Sequence, residues 1–340
     1  MQNLLVYLFC ALSAFLITSI SVPLVITALG GRFADVPSGL KTHSGAVPLA
    51  GGPAIMAGIF LSLLIVRFTI SFPTGTLHSL RGVLAGGLII FAAGLADDIK
   101  KPDGISALTK FAAQTAAAIA LIFYGIKINF IGNNILSYIV TVLWVIGLTN
   151  SFNLLDIADL LAVSQACCAA LFFIIIALPS EQIYVNFTAA ALLGAGVGFA
   201  PYNISKRCKS FMGDSGSMLL GFTLAAVSMG AQYSFKNPAA VLAPLLILAV
   251  PLWDTAFVVI ARILQRKNPF KGSPDHAVIR LQKYGVSSNT VVLMLLAASI
   301  IYGALALFVI HLNPFWTSVI FTLTLLDALA CGIYIYRLKI

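Results

Sequence analysis

The sequence predicts an all-α polytopic membrane protein with about eleven transmembrane helices. Three observations carry that prediction. Only 9% of the 340 residues are charged and 60% are hydrophobic, whereas a soluble domain carries about 25% charged residues. Apolar runs of helix-spanning length recur along the whole chain. Lys and Arg divide unequally between the alternate connecting segments. So few charges cannot cover a water-facing surface of this size, which excludes an ordinary soluble enzyme, a disordered chain and a collagen-like fibre. The formal net charge is +9, yet cations in so apolar a chain mark cytoplasmic membrane loops rather than a nucleic-acid surface.

A hydrocarbon core about 30 Å thick takes roughly 20 apolar residues per helix. Such runs begin near Leu4, Gly51, Arg81, Ser106, Leu136, Leu160, Ile183, Ser217, Ala239, Asn289 and Phe315. The first lacks a basic leading stretch and a small-residue cleavage site, so it reads as a retained helix. An odd number of spans puts the termini on opposite sides. With the N-terminus outside and the C-terminus in the cytoplasm, only Arg67, Arg81, Lys127 and Lys236 of the 20 Lys and Arg face outward. That partition follows the positive-inside rule. The chain reads as one membrane domain over 1–340, with no internal repeat and no long linker. Its five cysteines have neither metal-ligand spacing nor an even count, and read as small packing residues.

The acids also gather on the inner side. Of eleven, only Glu181 falls outside and only Asp327 falls within a span. The positive-inside rule asks nothing of acids, so this clustering points to a site that needs carboxylates. Asp97-Asp98 end the third span, where two adjacent anions at a helix C-terminus require a cation. Lys100, Lys101 or a metal are the candidates. Asn150, Asn153, Asp156 and Asp159 recur every three residues, which predicts one helical stripe facing a cavity. Phe211-Met212-Gly213-Asp214-Ser215-Gly216-Ser217 opens the eighth span. It predicts free backbone N–H groups suited to phosphate, with Asp214 placed for a bridging Mg²⁺. His276 and Arg280, four apart in the longest inner loop, share a face if helical and are candidates to grip a diphosphate. The first inner loop, with Asp35, Lys41, His43, Pro48, Gly51 and Gly52, reads as a structured turn. Together these features suit metal-assisted phosphoryl transfer.

The order of these motifs resembles the polyprenyl-phosphate N-acetylhexosamine-1-phosphate transferases, glycosyltransferase family 4, from about Arg32 to Gly285. The string Lys209 to Ser217 is its most specific part. Asp35-Val36-Pro37 with Lys41, His43 and Pro48 to Gly52 is similar to the family's first inner loop. Asp97-Asp98 with Lys110 and Gln114 resembles its aspartate pair and following helix. The resemblance implies transfer of a sugar-1-phosphate from a UDP-N-acetylhexosamine to polyprenyl phosphate at the cytoplasmic face of the inner membrane. It implies Mg²⁺, with Mn²⁺ as substitute, and a homodimer. It assigns the metal to Asp214 and Asp156, the uracil to Phe211, and the nucleoside pocket to Leu154 and Asp159. Asp97 or Asp98 would bind or deprotonate the acceptor, and Asp156 and His276 join them as catalytic. Lys41, His43, Asn150, Asn153 and Arg280 would bind substrate.

Three features depart from the family pattern, one being that Asn203 lies one residue farther from Asp214 than is usual. Leu160 stands where a Gly normally follows the last Asp of the asparagine–aspartate motif. The last loop keeps only His276 and Arg280 of a longer histidine run, which argues against a muramoyl-pentapeptide substrate. The alternatives are a transporter or flippase, for which Asp327 and Asp254 are the midplane candidates, and a non-catalytic homologue.

Overall fold

A computed structural model describes residues 2–29, 33–35, 45–69, 75–179, 182–233, 237–268 and 275–338. These residues form two compact units, Met1–Ala231 and Gln232–Ile340. The first contains eight helices: α1 (Gln2–Leu29), α2 (Gly51–Thr69), α3 (Thr76–Ile99), α4 (Ala107–Phe123), α5 (Asn134–Leu155), α6 (Leu161–Ala177), α7 (Ile183–Ile204) and α8 (Gly213–Gly230). The second contains a 3₁₀ turn (Pro238–Leu242), α9 (Ala243–Ile247), α10 (Ala249–Leu264), α11 (Ala277–Lys283), α12 (Ser288–Val309) and α13 (Pro314–Arg337).

All eleven predicted runs are helical, but not all are spans by length and composition. Seven helices are long and apolar enough to cross a membrane: α1, α2, α3, α5, α7, α12 and α13. An eighth is reached if residues Pro238–Ile247 and α10 count as one span bent by 71°. Pro244 and Pro251, near the break, lack the N–H that would continue a helical ladder. Among the described residues, length and composition thus support seven or eight of the eleven expected spans. Helices α4 and α6 have 17 residues each, a rise of about 26 Å.

Helix α8 misses the criterion for a different reason. It packs against α2, α3, α5, α6 and α7, and every residue from Ser215 to Ser228 is buried. A helix enclosed by protein needs no lipid-facing apolar surface, so it can carry Ser, Gly and Thr. Its small residues let neighbouring backbones come close. A Cβ built on Gly94 of α3 would lie 2.5 Å from Ser215 Cα, and one on Gly221 would lie 2.5 Å from the Leu148 carbonyl oxygen of α5. A Cβ on Gly52 would likewise overlap Ser215 Oγ.

The start of α2 is strapped to the start of α8 through backbone. The N–H groups of Gly51 and Gly52 donate to the carbonyls of Phe211 (3.1 Å) and Met212 (2.9 Å), and Phe211 N–H donates to Pro48 (2.9 Å). Before α2, a short antiparallel ribbon pairs β1 (Ala34–Asp35) with β2 (Val47–Pro48). Lys41 and His43 lie outside the described residues.

In the second unit, Phe257, Val258, Ala277 and Ile335 form a small core flanked by Trp253 and Leu281. The Trp253 indole N–H donates to the Ala328 carbonyl at 2.9 Å, which joins α10 to α13.

The α3–α8 approach leaves no room for a methyl group. Gly94→Ala is expected to destabilise the detergent-solubilised protein by about 1–3 kcal/mol, read as a lower thermal midpoint. Gly45→Ala, where a Cβ meets nothing within 4 Å, serves as the control and should melt with the wild type.

Candidate active site

The site is built at the N-terminus of α8. Gly213 begins the helix with φ +71°, a left-handed conformation that favours glycine. A Cβ there would also lie 2.6 Å from Asp98 Oδ2. Asp98, 4% exposed, accepts the Asp214 N–H (2.9 Å), the Ser215 N–H (3.0 Å) and the Ser215 hydroxyl (2.7 Å). An aspartate from the end of α3 therefore caps α8, where anions are favoured. This corrects the expectation of N–H groups free for phosphate: those of Asp214 and Ser215 are taken by a carboxylate of the chain itself.

Two lysines knit the aspartates together. Lys101 Nζ lies 2.8 Å from Asp98 Oδ1 and 3.3 Å from Asp214 Oδ1. Lys110 Nζ lies 3.0 Å from Asp97 Oδ1 and 2.6 Å from Asp214 Oδ2. Burial alone would lower the Lys101 pKa, but Asp98, Asp214 and Asp35 outweigh it and raise it. Lys100 is exposed, so Lys101 is the cation that the pair requires. Asp97 also accepts the Ile105 N–H at 2.8 Å, and its described contacts fall on Oδ1. The sequence offers Lys101 as one candidate counter-ion of the aspartate pair and gives Lys110 no role beyond its place on the following helix. The doubled carboxylate was the signal for both.

The asparagine–aspartate stripe is not one continuous helical face. Helix α5 ends at Leu155, Asp156 is its C-cap, and Asp159 lies in the turn before α6. Asn153 Nδ2 donates to Asp214 Oδ2 at 3.1 Å, and its Oδ1 lies 3.2 Å from Ser217 Oγ. Asn150 turns away from the carboxylates and pairs with Gln114 through both amide groups, at 2.8 and 3.2 Å. The turn reverses at Leu160, whose φ is +64°. Its N–H donates to Asn203 Oδ1 at 2.6 Å, and Asn203 in turn donates to the Ser210 carbonyl at 3.2 Å. The family's glycine thus has a backbone reason here: the position is left-handed, and Leu160 adopts the conformation under strain.

Asp159 pairs with Lys209, which also donates to the Asn203 carbonyl at 2.6 Å. The Lys209 ammonium lies 5.5 Å from the centre of the half-buried Phe211 ring. Leu154 is likewise half-buried at the end of α5. This corner therefore presents an aromatic face, a carboxylate and a cation together.

His276 and Arg280 do not share an open face. His276 precedes α11 as its N-cap and is 3% exposed. Its Nδ1 lies 2.8 Å from Asp254 Oδ2, and Ala277 N–H donates to Asp254 Oδ1 at 3.2 Å. Arg280 is buried against Asp275, with contacts at 3.3 Å, and against the Phe257 and Tyr336 rings. The expected shared face is corrected to two separate buried carboxylate pairs within the second unit. Asp254 as the imidazole's partner carried no sequence signal, because the two are 22 residues apart.

Asp97, Asp98, Asp156 and Asp214 set four carboxyl groups against the two ammonium groups of Lys101 and Lys110. Burial, reinforced by Asp214, Asp98 and Asp159 and opposed by Lys101, pushes the Asp156 pKa up to about 7. Mg²⁺ takes only one or two carboxylates beside waters and substrate phosphates. Asp214 and Asp156 fit that need. Among the described residues no three His, Cys, Asp or Glu groups converge as a closed metal site.

Two predictions follow from this geometry. Leu160→Gly relieves a left-handed leucine and should stabilise the protein by about 1 kcal/mol, read as a raised thermal midpoint. The second concerns pH. The Asp156 carboxyl is raised from 3.8 to about 7 on folding, so the folded chain binds more protons across that window. Stability is therefore lost as pH rises from about 4 to about 7. Asp156→Asn in EDTA should gain thermal stability over wild type at pH 8, with the difference shrinking toward pH 4. A difference independent of pH would contradict it.

The description of glycosyl transferase family 4 matches residues 80–232, the stretch that contains this site. The chain is 29% identical over 320 residues to a probable undecaprenyl-phosphate N-acetylglucosaminyl 1-phosphate transferase of Bacillus subtilis, covering 90% of this chain and 86% of that one. It is 30% identical over 304 residues to a decaprenyl-phosphate N-acetylglucosaminephosphotransferase of Mycolicibacterium smegmatis, covering 79% and 74%. It is 27% identical over 321 residues to the undecaprenyl-phosphate alpha-N-acetylglucosaminyl 1-phosphate transferase of Escherichia coli K12, covering 90% and 83%. With similarity of this extent over both chains, and the site inside the matched stretch, the protein is a multi-pass membrane member of glycosyltransferase family 4, the polyprenyl-phosphate N-acetylhexosamine-1-phosphate transferases.

Proposed function

We propose that the protein transfers N-acetylglucosamine 1-phosphate from UDP-N-acetylglucosamine to a polyprenyl phosphate. An acceptor phosphate oxygen attacks the sugar-linked phosphorus of the donor. The bond from that phosphorus to the bridging oxygen breaks, and UMP leaves with the electron pair. The observation that carries this reading is Asp214, held at the end of α8 by two lysines and Asn153 inside the family-matched stretch.

Asp214 and Asp156 would hold Mg²⁺, which when bound neutralises diphosphate charge and eases departure of UMP. The chain's own residues do the rest. Asp98 fixes the α8 terminus and, with it, the place of Asp214. Asp97 has an oxygen outside its described contacts, so it is the carboxylate of the pair placed to meet the acceptor. Phe211, with Leu154 and Asp159 beside it, offers the uracil an aromatic face. The left-handed turn at Leu160 keeps the backbone course that a glycine would give, which supports an active enzyme over a non-catalytic one.

The same reading puts the site on the cytoplasmic face of the inner membrane. The N-terminus lies outside, and the shorter helices and α8 cross beside the long ones to make eleven spans. A homodimer and a product used for cell-surface polymers complete the proposal.

The test is UMP release by purified protein in detergent with UDP-N-acetylglucosamine and undecaprenyl phosphate. Release should require lipid and Mg²⁺ and stop in EDTA. Asp214→Asn should lower kcat/KM by about 10²–10³-fold. No release with any UDP-N-acetylhexosamine would sink the reading.

A further inference from the structure

Both oxygens of Asp214 are covered by donors. Lys110 Nζ is 2.6 Å from Oδ2, Asn153 Nδ2 is 3.1 Å from the same oxygen, and Lys101 Nζ is 3.3 Å from Oδ1. Mg²⁺ sits about 2.0–2.1 Å from a carboxylate oxygen. Lys110 and Asn153 together occupy both lone pairs of Oδ2, so a divalent ion that takes this oxygen displaces one of them, and of the two the ammonium is the one a divalent ion repels.

The two lysines differ in how firmly each is held elsewhere. Lys101 has its shorter contact with Asp98, at 2.8 Å, and its longer one with Asp214. Asp98 is itself fixed by three α8 donors, so Lys101 stays anchored when Asp214 is lost. Lys110 is the reverse: its shorter contact is Asp214, and its 3.0 Å contact with Asp97 is the longer. Its side chain is 20% exposed, and a lysine stem turns about four flexible carbons. Lys110 is therefore the group that moves. Pushed off Asp214, its ammonium stays near Asp97 and needs a new anion. The anions that enter this site are phosphates.

We propose that Lys110 stands in for the metal on Asp214 and, when the metal displaces it, passes to a substrate phosphate. This rests on the metal reading above and adds a coupling to it. Metal binding releases the cation that phosphate needs, so each ligand tightens the other, by the same factor in both directions. The phosphate belongs either to the donor diphosphate or to the acceptor monophosphate.

Electron paramagnetic resonance of free Mn²⁺ tests this on purified protein in detergent, without any turnover. The arms are no substrate, undecaprenyl phosphate, and UDP-N-acetylglucosamine. Without substrate, Lys110→Gln should bind Mn²⁺ about tenfold more tightly than wild type. In wild type, at least one phosphate ligand should tighten Mn²⁺ by about fivefold or more, and Lys110→Gln should lose most of that gain. The arm that loses it identifies which phosphate the lysine meets. Lys110→Met repeats the comparison if the Gln variant does not melt cooperatively, and the wild-type coupling is read without any variant.

Mn²⁺ affinity that is unchanged or weaker in Lys110→Gln overturns the exchange, as does coupling that survives in both arms. The underlying reading fails separately. Mn²⁺ binding that survives Asp214→Asn overturns the metal placement and the exchange together. Binding lost in Asp214→Asn, with Lys110→Gln no tighter than wild type, overturns the exchange alone.

Discussion

The carboxylate of Asp98 on the first N–H groups of α8 is the contact on which the site is hung. A buried anion is costly unless it is paired and hydrogen-bonded. Asp98 meets both conditions, with Lys101 as its counter-ion and three donors from α8. Removing one partner of such a buried arrangement costs about 3–5 kcal/mol, so α3 and α8 are locked in register. The glycines follow from this lock. Gly213 lets the chain turn beside the carboxylate, and Gly94 and Gly52 let two neighbouring helices close on the same helix end. Asp214, next in the chain, is thereby aimed, and Lys101, Lys110 and Asn153 hold its carboxylate there.

The same contact divides the labour of the aspartate pair. Two adjacent residues on a helix point in different directions, and here they serve different ends. Asp98 is spent on architecture. Asp97 steadies the turn after α3 through Ile105 and keeps an oxygen outside its described contacts. Lys101 and Lys110 then hold the cluster together without fully neutralising it. An acidic pocket balanced completely would have no use for a further cation. One left wholly unbalanced would repel itself apart. Two ammonium groups against four carboxyls lie between those limits.

Much of this was legible in the residues. Eleven apolar runs became eleven helical segments, because their length and composition leave no other way to satisfy a backbone in lipid. Of the acidic residues that gather by composition, Asp97, Asp98 and Asp156 also gather in space around Asp214. What was not legible depends on distant partners. The Gly213–Ser215 string reads as an open anion cradle because nothing in it shows that Asp98, 116 residues earlier than Asp214, fills it. Periodicity carries Asn150 and Asn153 onto α5 but cannot show that the helix stops before Asp156. The spacing of His276 and Arg280 suggests one face, yet His276 lies outside the short helix and each side chain finds its own carboxylate. Leu160 shows the converse. Its departure from the family residue is visible in sequence, but only its φ explains what the glycine supplies.

The polarity of α8 has a consequence for how the protein is made. A helix of Gly, Ser and Thr opening with Asp214 gains little by entering lipid alone. Its burial depends on surfaces presented by α2, α3, α5, α6 and α7. All of these precede it in the chain, and chains fold largely in the order they are synthesised. The helix that carries Asp214 thus arrives last in its unit, into a slot already walled by its neighbours. Assembly of the catalytic centre and completion of the N-terminal bundle become a single event, so a chain that stalls before α8 is left with an open polar cleft within the membrane.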